Sequence, residues 1–149
     1  MTFLEFLIEA KICTYALDGE GGEKIIEDGS KEFVFQKENY LYRDRYFNGS
    51  GKFAGEEIIF ESGKPIWSMN YYGKTLTDTL TTKEIYLFLK KAMQLVSEKR
   101  PFRGPDSFIE GKYKYMDKSV GDISYFQGIE EIFYDDVKIY ELKYHGGIL

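Results

Sequence analysis

The chain has one cysteine, one histidine, one tryptophan and three prolines in 149 residues. A single thiol, Cys13, cannot close an internal disulfide, and a single imidazole, His145, cannot build a histidine cage, so no metal and no cofactor is expected. No apolar run approaches the ~20 residues that a spanning helix needs. Glu5, Glu9 and Lys11 interrupt the apolar N-terminus, which therefore lacks the core of a signal peptide. Positive charge is not in excess: 20 Lys plus Arg stand against 25 Asp plus Glu, a net charge of −5. A basic face for nucleic acid is therefore not expected. Phosphate loops, dinucleotide fingerprints and zinc spacings do not occur either. Together these absences predict a cytoplasmic protein with no membrane and no direct nucleic-acid partner.

Aromatic residues are abundant, with 12 Phe and 13 Tyr. That content and length predict one folded domain over residues 1–149 with a sizeable core. The first half recurs in the second. Tyr40-Leu41-Tyr42-Arg43-Asp44 matches Tyr113-Lys114-Tyr115-Met116-Asp117, and Ile66-Trp67 through Gly73 matches Ile139-Tyr140 through Gly146. Between them, Glu56-Glu57-Ile58 aligns with Glu130-Glu131-Ile132 at a spacing one residue longer, an insertion that a shorter turn cancels. The reading is a duplication, with repeats at about 1–76 and 77–149.

Each repeat opens with a helix. Ile85, Phe88, Leu89, Ala92, Met93 and Val96 fall on one helical face behind a Thr81/Glu84 capping box, and Pro101 follows the end. Thr2/Glu5 has the same box spacing ahead of Phe6, Leu7, Ala10 and Cys13, which places the thiol on the packing side. Three strands are expected after each helix, at 32–44, 56–60 and 65–72, then at 108–117, 123–134 and 138–145. Ser62-Gly63 and Asp135-Asp136 supply hairpin turns. The expected fold is α+β: a duplicated α-β-β-β unit forming a largely antiparallel sheet with two helices packed on it.

Alternation along the hairpins then assigns faces. Pairing Phe60 with Pro65 puts Glu56 among Ile58, Trp67, Met69 and Tyr71. Pairing Tyr134 with Lys138 puts Glu130 among Ile132, Tyr140, Leu142 and Tyr144. A carboxylate against rings needs solvent, a hydrogen bond or a cation, and suits acid–base chemistry or a cationic ligand. The expected ligand-binding residues are Glu56, Trp67, Met69, Tyr71, Glu130, Tyr140 and Tyr144, with Tyr42 and Tyr115, around a cleft between the repeats. The competing reading makes the glutamates structural, paired with Arg43, Arg45 or Arg103. Residues 18–30 read as a loop that could cover the cleft.

Phe53-Ala54-Gly55-Glu56-Glu57, Trp67 through Gly73, Pro101-Phe102-Arg103-Gly104-Pro105 and Tyr144-His145-Gly146-Gly147 resemble an uncharacterised bacterial domain-of-unknown-function family. That resemblance implies a domain found alone or behind a helix-turn-helix of the xenobiotic-response-element type. The sequence leaves no room for such a helix-turn-helix before Met1, so a separate DNA-binding regulator is the expected partner. The helix-plus-strands repeat is also similar in architecture to gyrase-inhibitor-like effector-binding domains, a likeness that implies a cleft for cationic or aromatic small molecules. Three functional expectations follow: a domain binding a small organic molecule, a hydrolase using a cleft glutamate as general base, or an interaction module acting as monomer or homodimer.

Overall fold

The computed structural model describes residues 1–16 and 23–149. Helix α1, Phe3–Cys13, is followed by strands β1 (Lys24–Ile25), β2 (Lys31–Lys37), β3 (Tyr40–Gly49), β4 (Lys52–Glu61) and β5 (Lys64–Thr75). Helix α2, Thr82–Met93, is followed by β6 (Ser107–Glu110), β7 (Tyr113–Asp122), β8 (Tyr125–Tyr134) and β9 (Val137–Ile148). All nine strands form one antiparallel sheet in the order β1-β2-β3-β4-β5-β9-β8-β7-β6. Mixed helix and sheet content fits the α+β expectation. No helix among the described residues is long and apolar enough to cross a membrane.

Both capping boxes form: the hydroxyls of Thr2 and Thr81 accept from the backbone N–H of Glu5 and Glu84, whose carboxylates reach back. Helix α1 lies over β2 and β3, stacking Phe6 on Tyr40 at 5.1 Å, and α2 lies over β7, stacking Phe88 on Tyr113 at 4.9 Å. One continuous apolar core joins both helices to the inward face of the sheet.

Each expected first strand is in fact a hairpin. The chain turns at Glu38-Asn39 and again at Gly111-Lys112, where Glu38 and Gly111 take positive φ (53° and 59°), so five strands follow α1, counting the two-residue β1, and four follow α2, where three were expected after each. Ser62 and Gly63, like Asp135 and Asp136, all have positive φ, the signature of a two-residue type I′ turn. These turns are equal in length, so the expected insertion and its cancellation do not occur. Pairings instead recur at a constant separation: Tyr42 faces Ile59 and Tyr115 faces Ile132, each 73 residues on.

A β-bulge accounts for a second difference. Phe60 pairs with Pro65 as expected, but Ile66 is an extra residue on β5, so Ile59 rather than Ile58 faces Trp67. A one-residue slip sends every following side chain to the opposite face. Glu57 and Ile59 therefore point into the core, opposite Met69 and Trp67, while Glu56 pairs with Asn70 on the outer face. In the second hairpin Tyr134 pairs with Val137, one residue from the expected partner, and a bulge at Ile139 restores the difference. Ile132 thus does face Tyr140 and Glu130 does face Leu142. Cys13 is also corrected: it is exposed, and Lys11 takes the buried position near the end of α1.

Candidate functional site

The inward face of the sheet carries an unusual load of charge. Asp44, Glu57, Asp117 and Glu130, with Lys11 and Arg103 from outside the sheet, are each no more than 3 % exposed. Buried charges persist only when paired and hydrogen-bonded, and the partners here are specific. Glu57 takes the ammonium of Lys11, which also donates to the carbonyl of Phe102 at 2.8 Å. Burial pulls the Lys11 ammonium below its ordinary range, and the Glu57 charge opposes that pull.

Glu130 is fully consumed. Arg103 donates Nε to Oε2 at 3.1 Å and Nη2 to Oε1 at 3.0 Å, while the hydroxyls of Tyr115 and Tyr140 donate at 2.6 and 2.8 Å. Burial works against the guanidinium charge of Arg103, but Glu130 outweighs it and holds the group charged well beyond its usual range. Glu130 therefore follows the structural reading of the sequence, with Arg103 as its clamp.

The two aspartates sit 73 residues apart on β3 and β7, each reached by a tyrosine lying across a glycine. Tyr71 on β5 spans Gly55 on β4 and donates its hydroxyl to Asp44 Oδ1 at 2.5 Å. Tyr144 on β9 spans Gly128 on β8 and donates to Asp117 Oδ1 at 2.8 Å. Only glycine admits the crossing: a Cβ at residue 55 would meet the Tyr71 hydroxyl at 2.4 Å, and one at residue 128 would meet the Tyr144 ring at 2.2 Å.

From there the two halves diverge. Asp117 has Arg100 beside it, with Nη2 3.3 Å from Oδ2 and donating to the Asp117 carbonyl at 3.0 Å. Asp44 has no such cation: among the described residues its hydrogen-bond donor is Tyr71 alone. Instead it borders a cavity of about 200 Å³. Phe33, Tyr46, Phe53, Tyr71 and Tyr86 supply ring walls, and Tyr15 and Arg103 border the cavity as well. Burial, then the nearby Glu57 charge, pushes the Asp44 carboxyl up to about 7. Asp117 rises to about 6 from its own burial and the Glu130 charge, against the opposing effects of Tyr144 and Arg100.

Of the residues expected to bind a ligand, Tyr71 alone borders this cavity. Trp67, Met69, Tyr42, Tyr115, Tyr140, Tyr144 and Glu130 are buried in the interior instead. Glu56 is not: its carboxylate accepts from Asn70 Nδ2 at 3.2 Å on the far face of the sheet. His145 shares that outer face with Asn70, its ladder partner. Of the loop expected at 18–30, residues 18–22 lie outside the described residues, and Lys24–Ile25 forms a short strand. No cluster of three or more His, Cys, Asp or Glu able to hold a metal occurs among the described residues.

Asp44 was legible in one respect: it continues the period-two run of Tyr40 and Tyr42, so it had to share their face. Lys11 gave the same kind of signal, four residues after Leu7 on the packing stripe of α1. A family model matches residues 44–149. The chain belongs to a family described as a domain of unknown function, DUF5680. Within the DUF5680 span lie Asp44, Glu57, Arg103, Asp117 and Glu130, so both aspartates and both buried glutamates belong to the matched domain. Helix α1, with Lys11, precedes it. No curated protein and no solved structure matches the chain.

Proposed function

We propose that this is an effector- or sensor-type domain that binds a small organic molecule in the cavity beside Asp44. One observation carries the reading: a nearly buried carboxylate, with one hydrogen-bond donor among the described residues, borders a ring-lined space of about 200 Å³. Proteins rarely leave a buried acid so sparsely partnered unless a ligand or proton completes it. The volume is below the ~300–1,000 Å³ of drug-sized sites, which suits a compact ligand. The cavity draws Tyr86, Lys90 and Arg103 from the second half and the rest of its lining from the first, in keeping with a site between two duplicated units. The recurrence of pairings at 73-residue spacing supports that duplication. The resemblance to a family found alone or behind helix-turn-helix segments supports a bacterial setting and a DNA-binding regulator as the protein that reads the bound state.

The cavity is favoured over strand addition at the sheet edge, because the outermost strands are short, with two residues in β1 and four in β6. A hydrolytic reading survives in a changed form, with Asp44 in place of a glutamate, because a carboxyl held near 7 can act as a general base.

A thermal-shift screen of compact aromatic molecules, neutral and charged, tests the binding reading. Hits should stabilise the wild type and fail with Lys90→Trp, which places a bulky ring in the cavity lining. Failure of every compound, or equal stabilisation of the Lys90→Trp variant, overturns it.

A further inference from the structure

We propose that the cavity takes a small aromatic cation, an amine or amidine carried on a flat ring, with its cationic group seated on Asp44. This deepens the binding-domain reading and rests on it. The argument comes from the second half of the molecule, where the equivalent place is already filled by the chain itself. The segment from Arg100 to Arg103 brings two groups there. Arg100 sets its guanidinium 3.3 Å from Asp117, and Phe102 stacks on Phe126 with ring centroids 4.2 Å apart. Asp117 and Phe126 stand 73 residues after Asp44 and Phe53, and the surrounding rings repeat as well. Phe126 stacks with Trp67 at 5.8 Å, and Phe53 stacks with Tyr140 at 6.4 Å, both at 20°.

A cation and a ring, two residues apart on one loop, thus lie against an aspartate and a phenylalanine in one half, as an ion pair to an Oδ2 that accepts no hydrogen bond among the described residues and as a ring stack. In the other half the corresponding aspartate and phenylalanine border open space. The loop shows a chemistry that suits such a place: a cation and a flat ring close together on one short scaffold.

Charge around the cavity agrees. Lys31 lies 3.3 Å from Glu23, and Arg103 is spent on Glu130, which leaves Asp44 and Lys90 as the remaining charged lining groups among the described residues. Lys90 is half-buried and can reach solvent, whereas Asp44 is 3 % exposed and lies at the cavity wall. Buried Glu57 adds negative potential at Asp44, while Lys11 and Arg103 partly offset it. A guanidinium-like or ammonium group would add charge-assisted hydrogen bonds there, and the ring walls would add cation–π attraction.

Isothermal titration with benzamidinium and its neutral near-isostere benzamide tests the proposal. Benzamidinium should bind the wild type about tenfold or more tightly than benzamide at pH 8, the size of a charged hydrogen bond. Its affinity should fall about tenfold by pH 6 as Asp44 takes up a proton. Asp44→Asn, which keeps an acceptor for Tyr71, should bring the two probes within about threefold of each other by weakening benzamidinium alone. Equal affinity of the two probes for the wild type overturns the cationic ligand and leaves the cavity standing as a neutral site. Benzamidinium affinity undiminished in Asp44→Asn overturns it also. Should neither probe bind the wild type at millimolar concentration while other screened compounds do, the cation assignment falls alone. Should nothing bind, both fall. The wild-type comparison decides by itself where the variant does not fold.

Discussion

Glu57 stands directly across the β4–β5 ladder from Met69, buried among core side chains with the Lys11 ammonium as its ion partner. Removing one member strands the other charge in the core. Lys11→Met and Glu57→Gln should each cost ~3–5 kcal/mol, and the double variant should recover part of that loss. Glu56→Gln, one residue away on the outer face, should change stability by no more than ~0.5 kcal/mol. Urea unfolding at neutral pH measures all four. A Glu56→Gln loss equal to that of Glu57→Gln would refute the register.

Asp44 gives a pH signature of definite sign. Its folded carboxyl holds a proton up to about 7, whereas an unfolded aspartate releases it near ~4. The unfolded chain therefore binds fewer protons in that window, and this group's contribution to stability falls as pH rises from 4 to 7 and is level above. Asp44→Asn lacks the effect. Its stability relative to wild type should climb by ~2–4 kcal/mol between pH 4 and 7. Paired urea melts across that range check it, and a flat difference contradicts it.

The tyrosine crossings depend on Gly55 and Gly128. Alanine at either residue forces the ring above it aside and breaks the hydroxyl's bond to its aspartate. Each substitution should cost ~1–3 kcal/mol. Gly63→Ala, where nothing lies within 4 Å, carries only the strain of its φ of 81° and provides a comparison for the steric effect.

Cys13 is exposed near the end of α1. A disulfide-exchange reagent should label it in the native protein about as fast as in urea. Protection by orders of magnitude would place it back in the core.

Much of this architecture could be read from residue patterns. Helix α2 followed from the apolar stripe of Ile85, Phe88, Leu89, Ala92 and Met93 and from the Thr81/Glu84 box, because both are local. The hairpin turns at Ser62-Gly63 and Asp135-Asp136 followed from their residue types. Faces were harder. The bulge at Ile66 leaves no local mark, since a β-branched apolar residue suits a regular strand equally well, yet it decides that Glu57 and not Glu56 is buried. Glu130 was placed correctly only because a misplaced partner for Tyr134 and the unseen bulge at Ile139 offset each other. The cavity lay further out of reach. Its walls come from β2, β3, β4, β5, α2 and Arg103, a tertiary convergence that spacing does not encode.

Strand β9 has a kinetic consequence. It lies between β5 and β8 at the middle of the sheet, and its ladder to β5 joins residues as distant in sequence as Asn70 and His145. Each outer meander can zip from its own tight turns, but the central seam closes only after a long loop has been drawn together. Refolding should therefore run on the millisecond-to-second scale of non-local β topologies, with the exposed flank of β5 open to other chains until β9 docks.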